Sequence, residues 1–238
     1  MARMTLDELV RQLTLVYGTG LRCVALYGSA ARGEQVSRQA NVNVLVLVDA
    51  IDMDHLKREG AVTRAWREGG NPPPLTLTAD EWRGSADIFP MEYADILAHH
   101  RVLHGALPAG EIVVRRQDLR LQLEHEARSK LLRLRHAILS SGAEGRAMAT
   151  LLEESVSSMM VLLRALLRVA GEEPPTDSAA VLDRAAVVTG IPMEGFRRAL
   201  QHARGEARLS GEAAVRAAGI YLECTAAVAA WVDAHPVP

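Results

Sequence analysis

The segment Val42–Val48 (VNVLVLV) is the feature that most restricts how this chain can fold. It is an almost unbroken run of valine and leucine, which is typical of a strand buried at the centre of a sheet. A second apolar segment, Leu21–Tyr27 (LRCVALY), precedes it and also favours a strand. Both faces of such a sheet must be covered, so we expect helices to alternate with strands in this part of the chain.

The surrounding residues supply these helices and further strands. Thr5 and Glu8 have the spacing of a capping box, which predicts that a helix begins there. A longer helix is predicted over Met53–Glu68, and a helix that Thr78 and Glu81 cap is predicted to end near Ala86. The predicted remaining strands are Leu75–Thr78, Phe89–Ile96 and Glu111–Val114.

The chain beyond about residue 115 shows only helical periodicity. The predicted helices are Gln117–Ser140, Glu144–Val169, Ser178–Val188 with Met193–Ala203, and Glu212–Ala234. We therefore predict an α+β protein. Residues 1–110 form a domain with a mixed β-sheet and flanking helices, and residues 115–238 form an all-α helical bundle.

The composition limits the partners of this protein. Its 27 Lys and Arg against 29 Asp and Glu give a formal charge of −2, so the whole protein does not attract nucleic acid, although a local basic stripe would still allow contact. No run approaches about 18 apolar residues, and no membrane span is expected. Cys23 and Cys224 form no disulfide framework, which favours a cytoplasmic location.

Gly28 and Ser29 follow directly after the first predicted strand. Glycine allows the backbone to approach an anion closely, and the amides that begin the next turn can hold phosphate. Gly28 and Gly33 match the glycine spacing of a Walker loop, but Glu34 and Gln35 replace its Lys and Ser/Thr. The segment therefore predicts a phosphate site of another kind.

Residues 5–105 resemble the nucleotidyltransferase superfamily of the DNA polymerase β type, especially small bacterial members. The family pattern is a strand, Gly-Ser, a short helix, and Asp-x-Asp at the start of the next strand. Here Gly28-Ser29 and GSAARGE fit that pattern, and the Asp-x-Asp position falls on Asn41-Val42-Asn43. A third carboxylate lies on a later strand of the family, for which Glu92 is the first choice and Asp95 the second. The trailing helices look like those of kanamycin-nucleotidyltransferase-like proteins.

The resemblance implies the site. Asn41, Asn43 and Glu92 match the catalytic carboxylates, and Gly28, Ser29 and Arg32 are predicted to bind a nucleoside triphosphate, such as ATP. In relatives the two aspartates hold Mg2+, but asparagine has no charge and is a weak magnesium ligand. We therefore predict nucleotide binding with weak or absent transfer, and Mg2+ as a cofactor only if the protein is active, held by Glu92 and the substrate.

Two other functions remain open. The protein could be a working magnesium-dependent nucleotidyltransferase that acts on a small molecule, RNA or protein. It could also be an antitoxin-like or scaffolding protein that binds a partner protein through its helical half, and its apolar helices would suit a homodimer.

Weaker patterns are also present. His100 and His104 have the spacing of helical zinc ligands. Arg120 with His125, and Arg197 with His202, match the loose Arg-x4-His spacing of the RNase motif in HEPN domains. Glu34 is expected to pair with Arg32 or Arg38.

Overall fold

The structure is a computed structural model, and it describes residues 3–34 and 42–236. Four strands form one sheet: β1 (Leu21–Tyr27), β2 (Asn43–Val48), β3 (Leu75–Thr78) and β4 (His100–Gly105). The helices are α1 (Leu6–Tyr17), α2 (Met53–Glu68), α3 (Ala79–Gly84), α4 (Pro90–Ala98), α5 (Arg116–Ser141), α6 (Gly145–Val169), α7 (Ser178–Thr189), α8 (Glu194–Arg204) and α9 (Gly211–Ala234).

The sheet is mixed, with the strand order β3-β2-β1-β4. Strand β1 runs antiparallel to both β2 and β4, whereas β2 and β3 are parallel and are joined through α2. The two strands predicted to be the most apolar, β1 and β2, therefore lie at the centre, as their composition requires.

Each face of the sheet has its own hydrophobic core. On one face, alternate β2 residues such as Val44 and Val46 pack with α1 and α2, whose buried side chains include Leu13 and Trp66. On the other face, Leu45 and Leu47 pack with Trp82 of α3 and with Tyr93 and Ile96 of α4. Because side chains alternate along a strand, Asn43 belongs to this second face.

The sequence predicts most elements of the first half correctly. The bounds of β1, β3 and α2 are confirmed, β2 begins one residue later than expected, and Thr78 and Glu81 form the expected capping box. The strand predicted over Phe89–Ile96 is wrong, because Pro90 begins a helix there. Proline suits the first helical position, where its missing N–H leaves no bond unmade.

The fourth strand is β4 rather than Glu111–Val114, where the structure has only a 3-10 turn, Ala109–Glu111. Strand β4 lies at the edge of the sheet, and most of its side chains are exposed or half-buried. Its polar composition gives no apolar strand pattern, because an edge strand needs little apolar surface.

In the helical half, each predicted helix agrees with the structure to within one residue at both ends. Helix α6 packs against α5, α7, α8 and α9, and it is buried around most of its circumference. Arg120 of α5 donates hydrogen bonds to the backbone carbonyls of Val232 and His235, near the carboxyl end of α9. These bonds satisfy carbonyl groups that a helix end leaves without partners.

Helix α9 is the one helix of the described chain that is long and apolar enough to cross a membrane, by length and composition alone. Several of its alanine and valine side chains, including Ala217 and Val228, are buried among the other helices, which accounts for much of its apolar character. Cys23 and Cys224 are both buried free thiols.

The chain divides into two compact units. Among the described residues, the sheet unit contains 3–34, 42–87 and 92–114, and the helical unit contains 88–91 and 115–236.

Candidate functional site

The turn that follows β1 has a tightly defined backbone. Gly28 begins a 3-10 turn, Gly28–Ala30, with a φ of 75°. The amides of Ala31 and Arg32 donate to the carbonyl of Gly28, and the amide of Glu34 donates to the carbonyl of Ser29 at 2.9 Å. The chain therefore closes on itself just after the strand, and Ser29 is half-buried in the turn.

Asn43 lies against this turn. It is the register partner of Tyr27, which directly precedes Gly28. A Cβ atom at Gly28 would lie 2.9 Å from Asn43 Nδ2, which is too close for ordinary contact. The amide of Asn43 thus occupies the space that a side chain at residue 28 would need. Asn41, the other residue of the predicted pair, is outside the described residues.

Arg32 joins the turn to α4. Its Nη1 atom donates to both carboxylate oxygens of Asp95 at 2.9 Å, and its Nε atom lies 3.7 Å from Glu34 Oε2. The side chains of Arg32 and Asp95 are only 3% and 8% exposed. The expected pairing of Glu34 with Arg32 is confirmed, while the contact of Arg32 with phosphate stays a prediction.

Glu92 is in the first turn of α4 and is exposed. Because the segment is helical and not extended, Glu92 and Asp95 are three residues apart on neighbouring positions of one helix face. In the strand predicted over Phe89–Ile96, the two side chains would instead have pointed to opposite faces. Helix α4 packs on the face of the sheet to which Asn43 belongs, because its Tyr93 and Ile96 lie in the core on that face.

Tyr27 gives the site a measurable pH dependence. Burial, followed by the negative charges of Glu92 and Asp95, raises the pKa of Tyr27 to about 12. An unfolded tyrosine ionises near about pH 10. Above that pH the folded protein therefore retains a proton that the unfolded chain loses, and the stability that is fully present below about pH 10 declines as the pH rises towards the folded pKa.

Between about pH 9 and about pH 11 we expect Tyr27 to account for about 1 kcal/mol of lost stability in the wild type, and this part to be absent in Tyr27→Phe, in which only the other buried groups titrate. Urea unfolding of both proteins at about pH 9 and about pH 11 measures the difference. An equal loss of stability in the two proteins would contradict the assignment to Tyr27.

The donor set does not fit the magnesium site of the family. Magnesium prefers charged oxygen ligands in octahedral geometry. Asn43 is neutral, and Arg32 already bonds both oxygens of Asp95. Across residues 3–34 and 42–236, no three His, Cys, Asp or Glu side chains come together in a way that could hold a metal ion.

The residues of the weaker patterns have other partners or another geometry in the structure. His100 and His104 are on β4, where four residues span about 13 Å, so they are not a helical pair of ligands. Arg120 is bonded to α9, and Arg197 pairs with Asp183 at 2.6 Å. Among the three asparagines of the chain, Asn71 has a structural role, because it accepts a hydrogen bond from the backbone amide of Val42.

Sequence reasoning missed Tyr27 and the pairing of Asp95 with Arg32. Alternation along β1 could have indicated Tyr27, since it shares the parity of Cys23 and Ala25 on the α4 side. The pairing has no local signal, because 63 residues separate its members.

Comparisons with known proteins support the fold. No protein-family model matches the chain, and no curated protein matches it by sequence. Among solved structures, the chain is similar to a spectinomycin adenyltransferase from Enterococcus faecialis, crystallised with ATP and spectinomycin, with a TM-score of 0.57 and 13% identity. The match covers 93% of this chain and 97% of that chain. The predicted α+β class, a nucleotidyltransferase-type mixed sheet followed by a helical bundle, is confirmed.

Proposed function

We propose that this protein binds a nucleoside triphosphate at the Gly28-Ser29 turn without a divalent metal, and that its nucleotidyl transfer is very slow. The observation that carries the proposal is the position of the Asn43 amide, against Gly28 at the end of the two central strands. The fold supports a nucleotide as the ligand, since the similar adenyltransferase was crystallised with ATP.

An amide at this position changes the chemistry of binding. A carboxylate repels a phosphate group unless a cation lies between them, whereas the N–H groups of an asparagine side chain donate hydrogen bonds directly to phosphate oxygens. Hydrogen bonds to a charged partner each contribute about 1.5–3 kcal/mol. We assign this role to Asn43 and, from the sequence pattern, to Asn41, with Ser29 as a further phosphate contact.

The same substitution removes the basis of efficient transfer. In the related enzymes the paired aspartates hold the metal that neutralises the triphosphate. If their absence removes about 4 kcal/mol of transition-state stabilisation, the reaction slows by roughly a thousandfold. Glu92 is exposed on α4 and is the carboxylate that a substrate-borne metal would meet under the alternative of an active enzyme.

Restoring the carboxylates tests the proposal. We expect wild-type protein to bind ATP equally in EDTA and in magnesium, and the double variant Asn41→Asp with Asn43→Asp to bind ATP at least about tenfold more tightly with magnesium than without it. Isothermal titration calorimetry measures each affinity. The control is Asn71→Asp, which adds a carboxylate elsewhere in the sheet unit and keeps the oxygen that accepts from Val42.

Two results would overturn the proposal. One is wild-type affinity that disappears when magnesium is chelated, and the other is a double variant that is indifferent to magnesium. Magnesium-dependent release of pyrophosphate at an ordinary enzymatic rate would support the active-enzyme alternative. Stable co-purification with a protein, without ATP binding, would support the scaffold alternative.

A further inference from the structure

The helical unit contains an open cleft of about 810 Å3 between α6 and the loop that joins α8 to α9. One wall is the first turns of α6, and the other is the carboxyl end of α8 with the loop that follows it. All of the lining residues belong to the helical unit, so the cleft is separate from the Gly28-Ser29 turn. Those with polar side chains are Arg146, Thr150, Glu153, His202, Arg208 and Ser210.

Two backbone contacts hold the walls of the cleft. A Cβ atom at Gly145 would lie 2.5 Å from the Cα atom of Gly211, so α6 and α9 begin in direct backbone contact, which only glycine permits. The loop is held to α8 because the backbone amide of Leu209 donates to Nδ1 of His202 at 3.2 Å. Since Nδ1 accepts this bond, the neutral imidazole carries its proton on Nε2 and keeps a donor there.

Each wall of the cleft supplies one arginine. Arg146 is on α6 and Arg208 is on the loop, and both are exposed. Neither forms an ion pair or a hydrogen bond with any residue that the structure describes. By contrast, Arg216 of α9, which lies outside the cleft, pairs with Glu212 at 3.1 Å. The cleft therefore holds two guanidinium groups whose donors are available to an anion.

The other polar groups of the cleft include two hydroxyls and one carboxylate. Ser210 is the N-cap of α9, yet its side chain makes no bond to the first turn of that helix, as a capping serine ordinarily does. The Thr150 hydroxyl makes no hydrogen bond within the described chain either. Glu153 is half-buried, forms no ion pair with a described residue, and lies about 10 Å beyond Arg146 along α6. The cleft thus combines several donors with a single acidic side chain.

We propose that this cleft binds the phosphate monoester of a sugar or of another polyol. The phosphate accepts charge-assisted hydrogen bonds from Arg146 and Arg208, because a planar guanidinium group matches two of its oxygens at once. The hydroxyls of the polyol donate to Glu153, farther along α6. Apart from the His202 ring, the described lining residues include no aromatic side chain on which a nucleobase would stack, which favours a polyol. The volume is within the usual range of small-molecule sites.

Three probes test the site. Glucose 6-phosphate has both the phosphate and the hydroxyls, n-hexyl phosphate has the phosphate on an apolar chain of similar length, and glucose has no charge. By isothermal titration calorimetry, we expect glucose 6-phosphate to bind saturably with a dissociation constant below about 1 mM. Hexyl phosphate should bind about tenfold more weakly, and glucose about a hundredfold more weakly, because each lacks one set of hydrogen bonds.

Variants connect the binding to the cleft. Arg146→Gln and Arg208→Gln should each weaken glucose 6-phosphate binding about tenfold or more, because each loses a charge-assisted contact. Glu153→Ala should weaken glucose 6-phosphate binding about tenfold but should not weaken hexyl phosphate binding, which does not use the carboxylate. The matched control is Arg216→Gln, which removes an exposed arginine outside the cleft and should leave all affinities unchanged.

The proposal fails on any of four results. The first is no saturable binding of glucose 6-phosphate with a dissociation constant below about 1 mM. The second is equal glucose 6-phosphate affinity of the Arg208→Gln and Arg216→Gln proteins. The third is wild-type protein that binds hexyl phosphate as tightly as glucose 6-phosphate. The fourth is Gly28→Ala protein that loses glucose 6-phosphate binding, which would place this ligand at the turn of the sheet unit and not in the cleft.

Discussion

Asp95→Ala is expected to destabilise the sheet unit by about 3–5 kcal/mol. The substitution leaves the guanidinium of Arg32 nearly buried, without the carboxylate that accepts two hydrogen bonds from it at 2.9 Å. Glu34 lies farther away, at 3.7 Å from Arg32 Nε, and cannot replace those bonds without moving. A charge left unpaired inside a protein costs far more than the loss of a surface ion pair.

The measurement is urea unfolding followed by tryptophan fluorescence. Two of the three tryptophans, Trp66 and Trp82, are in the sheet unit, so a Trp231→Phe background reports on that unit alone. The control is Asp49→Ala. Asp49 also receives two hydrogen bonds from an arginine, Arg22, but its side chain is 46% exposed, and its loss should cost less than about 1 kcal/mol.

A second variant separates the loss of the pair from a general packing defect. Replacing both partners, as Arg32→Met with Asp95→Leu, should recover most of the lost stability, because no buried charge remains. Equal costs for Asp95→Ala and Asp49→Ala would contradict the burial of the pair. A double variant as unstable as Asp95→Ala would show that the loss comes from packing.

Gly28→Ala is the second substitution with a large expected effect. It should weaken ATP binding about a hundredfold, because the new Cβ would lie 2.9 Å from Asn43 Nδ2 and would displace the amide that we assign to phosphate. It should also cost about 1–2 kcal/mol of stability, since alanine is strained at a φ of 75°.

Gly33→Ala is the matched control in the same turn. Gly33 has a similar φ of 69°, but a Cβ there meets no atom within 4 Å. The two variants share the backbone strain, and they differ in the contact with Asn43. Calorimetry with ATP and urea unfolding should therefore give similar losses of stability but a large loss of affinity only for Gly28→Ala. Equal ATP affinities of Gly28→Ala and Gly33→Ala would contradict the assignment of Asn43 to the phosphate site.

The sequence predicts the central strands well because burial on both faces leaves a strong signal. Strand β2 is nearly all valine and leucine, and no other element of that length suits such a run. The strand prediction fails at Phe89–Ile96 because the apolar residues Phe89, Met91 and Tyr93 are spaced by two, as in a strand. The proline that begins α4 is the better signal. The sequence of β4 contains almost no strand signal, because β4 is an exposed edge strand.

The candidate site also has a part that the sequence predicts and a part that it does not. The approach of Asn43 to the Gly28 turn follows from two local rules, the alternation of side chains along β2 and the antiparallel pairing of neighbouring strands. The pairing of Arg32 with Asp95 depends on how α4 packs on the sheet, and no local pattern specifies it.

The two faces of the sheet differ in the polar groups that they hold. Tyr17 and Thr76 share the carboxylate of Glu59 on the side of α1 and α2, where each hydrogen bond is 2.5 Å long, whereas the turn, Asn43 and α4 occupy the other side. Substitutions on the side of α1 and α2 can therefore change the stability of the sheet unit without altering the turn or Asn43 on the other side.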